Sequence, residues 1–177
     1  MSAPIWLEPD GSINDQGLPI EHGKSVAVLF ARRDSNYKSF SNLDVYDEDR
    51  DATSYCGDLP VIAHPPCRAW GQLRALANPR PGEKELAFFA LDTVRRCSGV
   101  LEHPATSTLW REAQLPAPGE RDSFGGWTLP VHQYWFGHRA EKPTYLYFCG
   151  ISPADIPALP LVLGSAPRIC GPSGRRR

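Results

Sequence analysis

Pro60-Val61-Ile62-Ala63-His64-Pro65-Pro66-Cys67 is the stretch from which the fold is read. The apolar run at 61–63 has the length and β-branched character of a buried strand. That strand must stop at the two prolines, which fix φ and lack the N–H that a ladder needs. A stiff loop at the carboxyl end of a strand faces the crevice where α/β sheets bind their ligands. Here the loop presents a single thiol, Cys67, which is placed to act as a nucleophile. The plainer reading is a strand-ending turn whose cysteine simply packs, since free cysteines are among the most buried residues.

Outward from this stretch the chain alternates strand and helix signals. Residues 24–31 (KSVAVLFA) read as a strand, 43–46 (LDVY) as a second, and 61–63 as a third. Residues 83–96 (EKELAFFALDTVRR) carry apolar side chains at 86, 89, 90, 91 and 94, the spacing of an amphipathic helix. Pro81-Gly82 before it and Ser98-Gly99 after it supply start and stop signals. Val100-Leu101 read as a strand closed by Glu102-His103-Pro104, residues 111–130 as a long loop, and 144–151 (TYLYFCGI) as a late strand. Residues 152–172 are broken by prolines and read as irregular. The expectation is one α/β domain over residues 24–172, a three-layer Rossmann-like unit with a mainly parallel sheet. An irregular arm at 1–23 precedes it and a disordered basic tail at 173–177 follows. No internal repeat is visible.

Composition narrows the function. A length of 177 residues suits one domain with a full core, and 41% hydrophobic with 22% charged residues is a globular balance. The net charge of -1 lacks the basic excess of a dedicated duplex-binding surface, so nucleic-acid contact has to be local or aided by a partner. No stretch is apolar for long enough to span a bilayer, and no export signal opens the chain, so a cytoplasmic location is expected. The five cysteines lack CxxC spacing and are expected to be reduced. His64, Cys67, Cys97, His103 and Cys56 include zinc-ligand types, but no pair has a metal-site spacing, and no metal is expected.

The chemistry sits at the strand ends. Glu102 follows one strand and Cys67 another, and a thiol with a carboxylate in one pocket is the minimal set for chemistry at C5 of a pyrimidine. A thiolate that adds to C6 turns the ring into an enamine and makes C5 nucleophilic. A carboxyl group on the N3 edge eases that addition. On its own, Glu102 reads as a surface carboxylate or a cap on the next turn.

HPPC at 64–67, LEHP at 101–104 and the segment at 136–147 (FGHRAEKPTYLY) together resemble phage-encoded proteins related to DNA cytosine-5 methyltransferases. The ordered motifs span residues 60–151. The resemblance implies a Pro-Cys loop whose nucleophile is Cys67 and a base-binding glutamate at Glu102, with His103 where the family has Asn. Arg139 and Lys142 stand where the family has its arginines. His64, Pro66 and Arg68 flank the nucleophile, and Arg68 or a following helix N-terminus would favour its thiolate. The implied cofactor is S-adenosyl-L-methionine, with Phe30, Asp44 and Asp47 as its contacts. The implied partner is DNA or a pyrimidine nucleotide, in a phage or prophage protein acting inside a bacterial host.

Two departures accompany the resemblance. The family's glycine turn after the first strand is replaced by residues 30–38 (FARRDSNYK), where Arg32, Arg33 and Lys38 suit an anionic or phosphate ligand. No separate target-recognition domain is evident, so a protein partner could supply it. Trp70, Trp110, Trp127, Trp135 and Tyr134 are candidate stacking faces for a base and, equally, core residues. His138 could face a substrate phosphate, and His132 reads as structural. The alternatives are C5 modification with a different donor and a catalytically retired protein that still binds a base or a partner.

Overall fold

The computed structural model describes residues 23–71, 74–160, 162 and 165–169. The expected arm, except Gly23, and the expected tail lie outside these residues. The elements in chain order are β1 (Val26–Leu29), β2 (Leu43–Tyr46), β3 (Val61–Ala63), α1 (Glu83–Cys97), β4 (Gly99–Pro104), α2 (Leu109–Glu112), β5 (Trp127–His132), β6 (Ala140–Glu141), β7 (Pro143–Cys149) and β8 (Arg168–Ile169). Six of the strands form one mixed sheet in the order β2-β1-β3-β4-β7-β5, and β6 pairs with β8 apart from it. The pairs β1–β2, β1–β3 and β3–β4 are parallel. β7 runs antiparallel to both β4 and β5. The chain is α/β with a mostly parallel sheet, an arrangement compatible with a Rossmann-like fold.

Helix α1 forms where the apolar spacing places it. Glu83 and Glu85 fill its first turn and Arg95 and Arg96 its last, in the sense the helix dipole favours. Ala87, Ala90, Leu91, Val94 and Cys97 make its buried stripe, which packs with Ala27, Leu29, Val61, Ala63, Leu101 and Tyr147 of the sheet. α2 adds Leu109 to the same side. On the opposite face Val28, Ala31 and Leu43 are buried with Tyr37, Phe40 and Ile62 against them. Among the described residues, the 3-10 turn Asn36–Ser39 contributes to this smaller cluster.

Two glycines are steric requirements. Gly99 has φ 134°, and a Cβ there would stand 2.0 Å from the Val61 carbonyl oxygen. At Gly126 a Cβ would stand 2.2 Å from the Tyr147 hydroxyl. The Tyr147 hydroxyl donates to Asp122 Oδ2 at 2.8 Å and receives Arg95 Nε at 3.2 Å, which ties the loop before β5 to α1.

The sequence reading misses β5. Its residues alternate, but Pro130 argues against a central strand, and residues 111–130 read as loop. β5 is the edge strand of the sheet, where a missing donor is tolerated. β4 is also longer than expected. Glu102, His103 and Pro104 do not leave the sheet but pair with Leu146, Tyr145 and Thr144 of β7.

Candidate active site at the carboxyl ends of the strands

From β1 the sheet grows to β2 on one side and to β3 on the other. The carboxyl ends of β1 and β3 therefore flank a topological switch point, where open α/β sheets bind ligands. A crevice of about 550 Å³ lies there, lined by Phe30 and Ala31 after β1, Asp47 and Glu48 after β2, and Pro66 and Arg68 after β3. This is within the range of small-molecule sites. Two of its lining residues have left-handed backbone without being glycine, Phe30 at φ 62° and Asp51 at φ 52°. Such conformations are sparsely populated for side-chain-bearing residues and cluster at ligand sites. Phe30 thus makes the turn after β1 that a glycine would make more easily.

The charged residues of the crevice are already partnered. Asp47 Oδ1 accepts from the backbone N–H groups of Asp49 at 3.0 Å and Arg50 at 3.1 Å, while Oδ2 receives Lys38. The Lys38 hydrogen bond, followed by that of the Arg50 N–H, holds the Asp47 carboxyl down to about 2. Buried Glu83 accepts from Arg68 Nε at 2.8 Å and from the Arg80 N–H at 2.8 Å. Burial pushes the Glu83 carboxyl up, but these donors outweigh it and leave it below its usual range.

Glu102 is the centre of a second polar group on the same edge. Ala63 pairs with Leu101, so the next residues, His64 and Glu102, emerge side by side. His64 Nδ1 lies 3.3 Å from Glu102 Oε2, and His64 Nε2 lies 3.2 Å from the Tyr37 hydroxyl, with the two rings stacked. On the far side Gln133 Nε2 donates to Oε1 at 3.0 Å and Lys142 Nζ stands 3.8 Å from it. Burial pushes the Glu102 carboxyl up, but His64 and Lys142 more than compensate and hold it below its ordinary value. Burial, and then the Glu102 charge, raise the Tyr37 hydroxyl.

Cys67 is exposed, three residues beyond His64 on the same proline-braced loop. No helix follows it directly. The Trp70 and Gly71 N–H groups donate to the Cys67 carbonyl at 3.1 and 3.0 Å, closing a turn. The guanidinium of Arg68 is engaged by Glu83. His103 faces the opposite side of β4 from Glu102 and is wholly buried, with neither ring nitrogen in a regular hydrogen bond. Burial is the main reason its pKa falls to about 4, although Glu102 and the Pro66 carbonyl pull the other way.

The structure thus gathers His64, Glu102 and Lys142, and separately Phe30, Asp47, Pro66 and Arg68. Asp44 is not among the crevice residues and pairs with Arg50. Arg32 forms a two-point pair with Asp34, both contacts at 2.9 Å, and Arg33 pairs with Asp49 at 2.9 Å. Arg139 is exposed on the turn before β6, and its carbonyl accepts from the Arg168 N–H. Tyr37 and Gln133 are the site residues that sequence reasoning did not single out. The alternation of Trp127, Leu129 and Val131 was the signal that would have led along β5 to Gln133.

Among the described residues no His, Cys, Asp or Glu cluster could hold a metal ion, and no helix is long and apolar enough to cross a membrane. Compared with protein-family models and with curated proteins, the chain matches none.

Proposed function

We propose that the chain is a pyrimidine C5-modifying enzyme of the DNA cytosine-5 methyltransferase type, built on a three-layer Rossmann-like domain. One observation carries this reading. β3 and β4 pair so that His64 meets Glu102, and the loop that holds His64 presents an exposed cysteine beside a crevice at the switch point. Cys67 would form a sulfur–carbon bond at C6 of the base, with the displaced ring electrons moving to C5. Glu102 would hold the base edge, and Lys142 would offset charge that develops on the ring. C5 would then bond to the electrophilic carbon of a group donor, whose leaving group departs with the bonding pair; loss of the C5 proton to a base and departure of sulfur from C6 would restore the ring. A base within duplex DNA would first have to be turned out of the stack.

The crevice suits a nucleoside-bearing donor such as S-adenosylmethionine in volume, in the aromatic wall of Phe30 and in the exposed carboxylate of Asp51, whereas both oxygens of Asp47 are already engaged within the chain. When bound, that donor supplies an electrophilic methyl group. Arg32, Arg33 and Lys38 already answer carboxylates of this chain, which weakens the case for a phosphate grip in the first loop.

The test is covalent capture. Mixed-sequence oligonucleotides carrying 5-fluorodeoxycytidine or 5-fluorodeoxyuridine are incubated with the protein and S-adenosylmethionine, then read by intact mass. Fluorine replaces the proton that has to leave C5, so an adduct persists. An adduct with wild type and none with Cys67→Ser supports the proposal; no adduct with either base removes it.

A further inference from the structure

We infer that the connection between β5 and β7, residues 133–142, is a landing surface for single-stranded nucleic acid, with its aromatic rings stacking on unpaired bases and Arg139 on the phosphate backbone. The inference rests on the proposed function only for where that strand lies, beside the Glu102 cluster; the binding itself is measured without any chemistry. β4 and β5 both run antiparallel to β7, so β4 and β5 point the same way. The connection after β5 therefore leaves the sheet at the edge where Glu102 stands. Its two ends, Gln133 and Lys142, face that carboxylate at 3.0 and 3.8 Å.

The backbone of this connection is pinned along its length. The Gln133 N–H donates to the Lys142 carbonyl at 3.2 Å and closes the loop at its base. The His138 N–H returns to the Gln133 carbonyl at 3.2 Å, and the Gly137 N–H to the Tyr134 carbonyl at 3.1 Å, with Gly137 at φ 90°. From β8 the Arg168 N–H donates to the Arg139 carbonyl at 3.1 Å. A loop held at these points gives up little further freedom when a ligand settles on it. It displays Tyr134, Trp135 and Phe136 in succession on the 3-10 turn Gln133–Phe136. Phe136 is 56% exposed, and the other two rings are half-buried.

The remaining aromatic candidates for stacking are taken up inside the domain. Trp70 and Trp127 are buried, and Trp110 meets Tyr145 edge-on and donates its indole N–H to the Pro104 carbonyl. Arg139 is exposed, and among the described residues its guanidinium meets no carboxylate, whereas Arg32 and Arg33 are held by Asp34 and Asp49. Glu141 is the carboxylate within the loop, and Arg139, Lys142 and the neighbouring Arg168 outweigh it. Exposed rings beside a few cations fit a single strand better than a duplex. A single strand offers the π-face of each base and needs few phosphate contacts, whereas a duplex covers those faces and is held mainly through charge. The net charge of -1 leaves little for the latter.

The test is fluorescence anisotropy of the full chain with labelled oligo(dT), alone or annealed to oligo(dA), over a range of salt concentrations. The expected result is saturable binding of the single strand, at least about fivefold tighter than of the duplex, whose base faces are already stacked. Phe136→Ala and Trp135→Ala should each weaken it at least about fivefold with the salt dependence unchanged. Arg139→Ala should weaken it and flatten the slope of log K against log salt by about 0.7, the share of one phosphate on a single strand. Arg175, Arg176 and Arg177 supply a second basic segment in the sequence, so a variant with all three replaced by alanine is run alongside and should keep the Phe136 dependence. Binding lost in that variant but indifferent to Phe136, Trp135 and Arg139 overturns the inference. So does a duplex preference, or no binding of either form. Self-association that Phe136→Ala abolishes while oligo(dT) binding persists also overturns it, and makes the face a contact between copies of this chain. Binding that follows Phe136 and Arg139 without any Cys67 adduct keeps this surface and removes the C5 reading; an adduct formed without that dependence does the reverse.

Discussion

Replacing Gly99 by alanine should be among the most damaging single changes in this chain, and its cost follows from one distance. The added Cβ would lie 2.0 Å from the Val61 carbonyl oxygen and 2.7 Å from the Val61 nitrogen. These are backbone atoms, so no side-chain rotation relieves the overlap. β4 must retreat from β3 at the first step of a ladder that pairs Val61, Ile62 and Ala63 with Gly99, Val100 and Leu101. A positive φ costs an alanine about 1–2 kcal/mol. Weakening one or two ladder bonds, including Val61 N–H to Ser98 at 3.0 Å, adds about 1 kcal/mol each. Forced repacking under α1 adds roughly 1–3 kcal/mol. The sum is roughly 3–7 kcal/mol against a typical total stability of about 5–15 kcal/mol. The assay is urea unfolding followed by tryptophan fluorescence, with Gly119→Ala as the control. Gly119 has φ 92° and nothing within 4 Å of its virtual Cβ, so that variant should bear only the conformational cost, about 1–2 kcal/mol. If the two variants unfold within about 1 kcal/mol of each other, the close approach of β4 to β3 is wrong, and so is the seating of Glu102 beside His64.

His103 gives a pH dependence. Its folded pKa of about 4 lies below the usual 6.5, so between those values the unfolded chain takes a proton that the folded chain refuses. Stability therefore falls as pH drops through that window, by up to roughly 3 kcal/mol, with no further loss from this group below it. His103→Leu should lose less stability than wild type between pH 7 and pH 4.5, and an identical loss in urea midpoints would remove His103 as the source. Thiol labelling checks the loop directly. In a Cys170→Ser background, Cys67 and Cys56 should react in the native protein while buried Cys97 and Cys149 wait for unfolding. A protected Cys67 would contradict its presentation by the proline loop.

Sequence periodicity located the elements that local chemistry dictates. The runs at 43–46 and 61–63 match β2 and β3, and the apolar spacing of 83–96 matches α1 to within a residue. Those elements have residues whose own preferences agree with their surroundings. β5 was hidden because Pro130 is a strand breaker anywhere except an edge, and edge position is a property of the assembled sheet. The antiparallel sense of β7 is likewise set by which strands it joins. At the site, the adjacency of His64 and Glu102 could be anticipated only as two strand ends in one sheet; the register Ala63 to Leu101 makes it a contact. Gln133 and Lys142 reach Glu102 from the positions just after β5 and just before β7, more than thirty residues away in sequence.

The loop after β1 shows what residue type alone leaves open. Its cluster of Arg32, Arg33 and Lys38 has the composition of an anion grip, yet folding turns each charge toward a nearby carboxylate: Asp34, Asp49 and Asp47. Ser35 accepts from the Tyr37 N–H and so begins the 3-10 turn that delivers Tyr37 to His64. The His64 N–H in turn donates to the Leu29 carbonyl at 3.1 Å, directly before the left-handed turn at Phe30. The same short segment therefore lines the crevice with Phe30 and braces, through Tyr37, the histidine that holds Glu102. A ligand that displaced Phe30 from its left-handed turn would pull on the Leu29 to His64 bond, and through His64 on the Glu102 carboxylate. Two hydrogen bonds, Leu29 to His64 and His64 to Glu102, therefore join the crevice to the Glu102 cluster. Tyr37→Phe removes the hydroxyl that braces His64 Nε2 while leaving those two bonds and the crevice lining in place, so it separates the two roles of the loop.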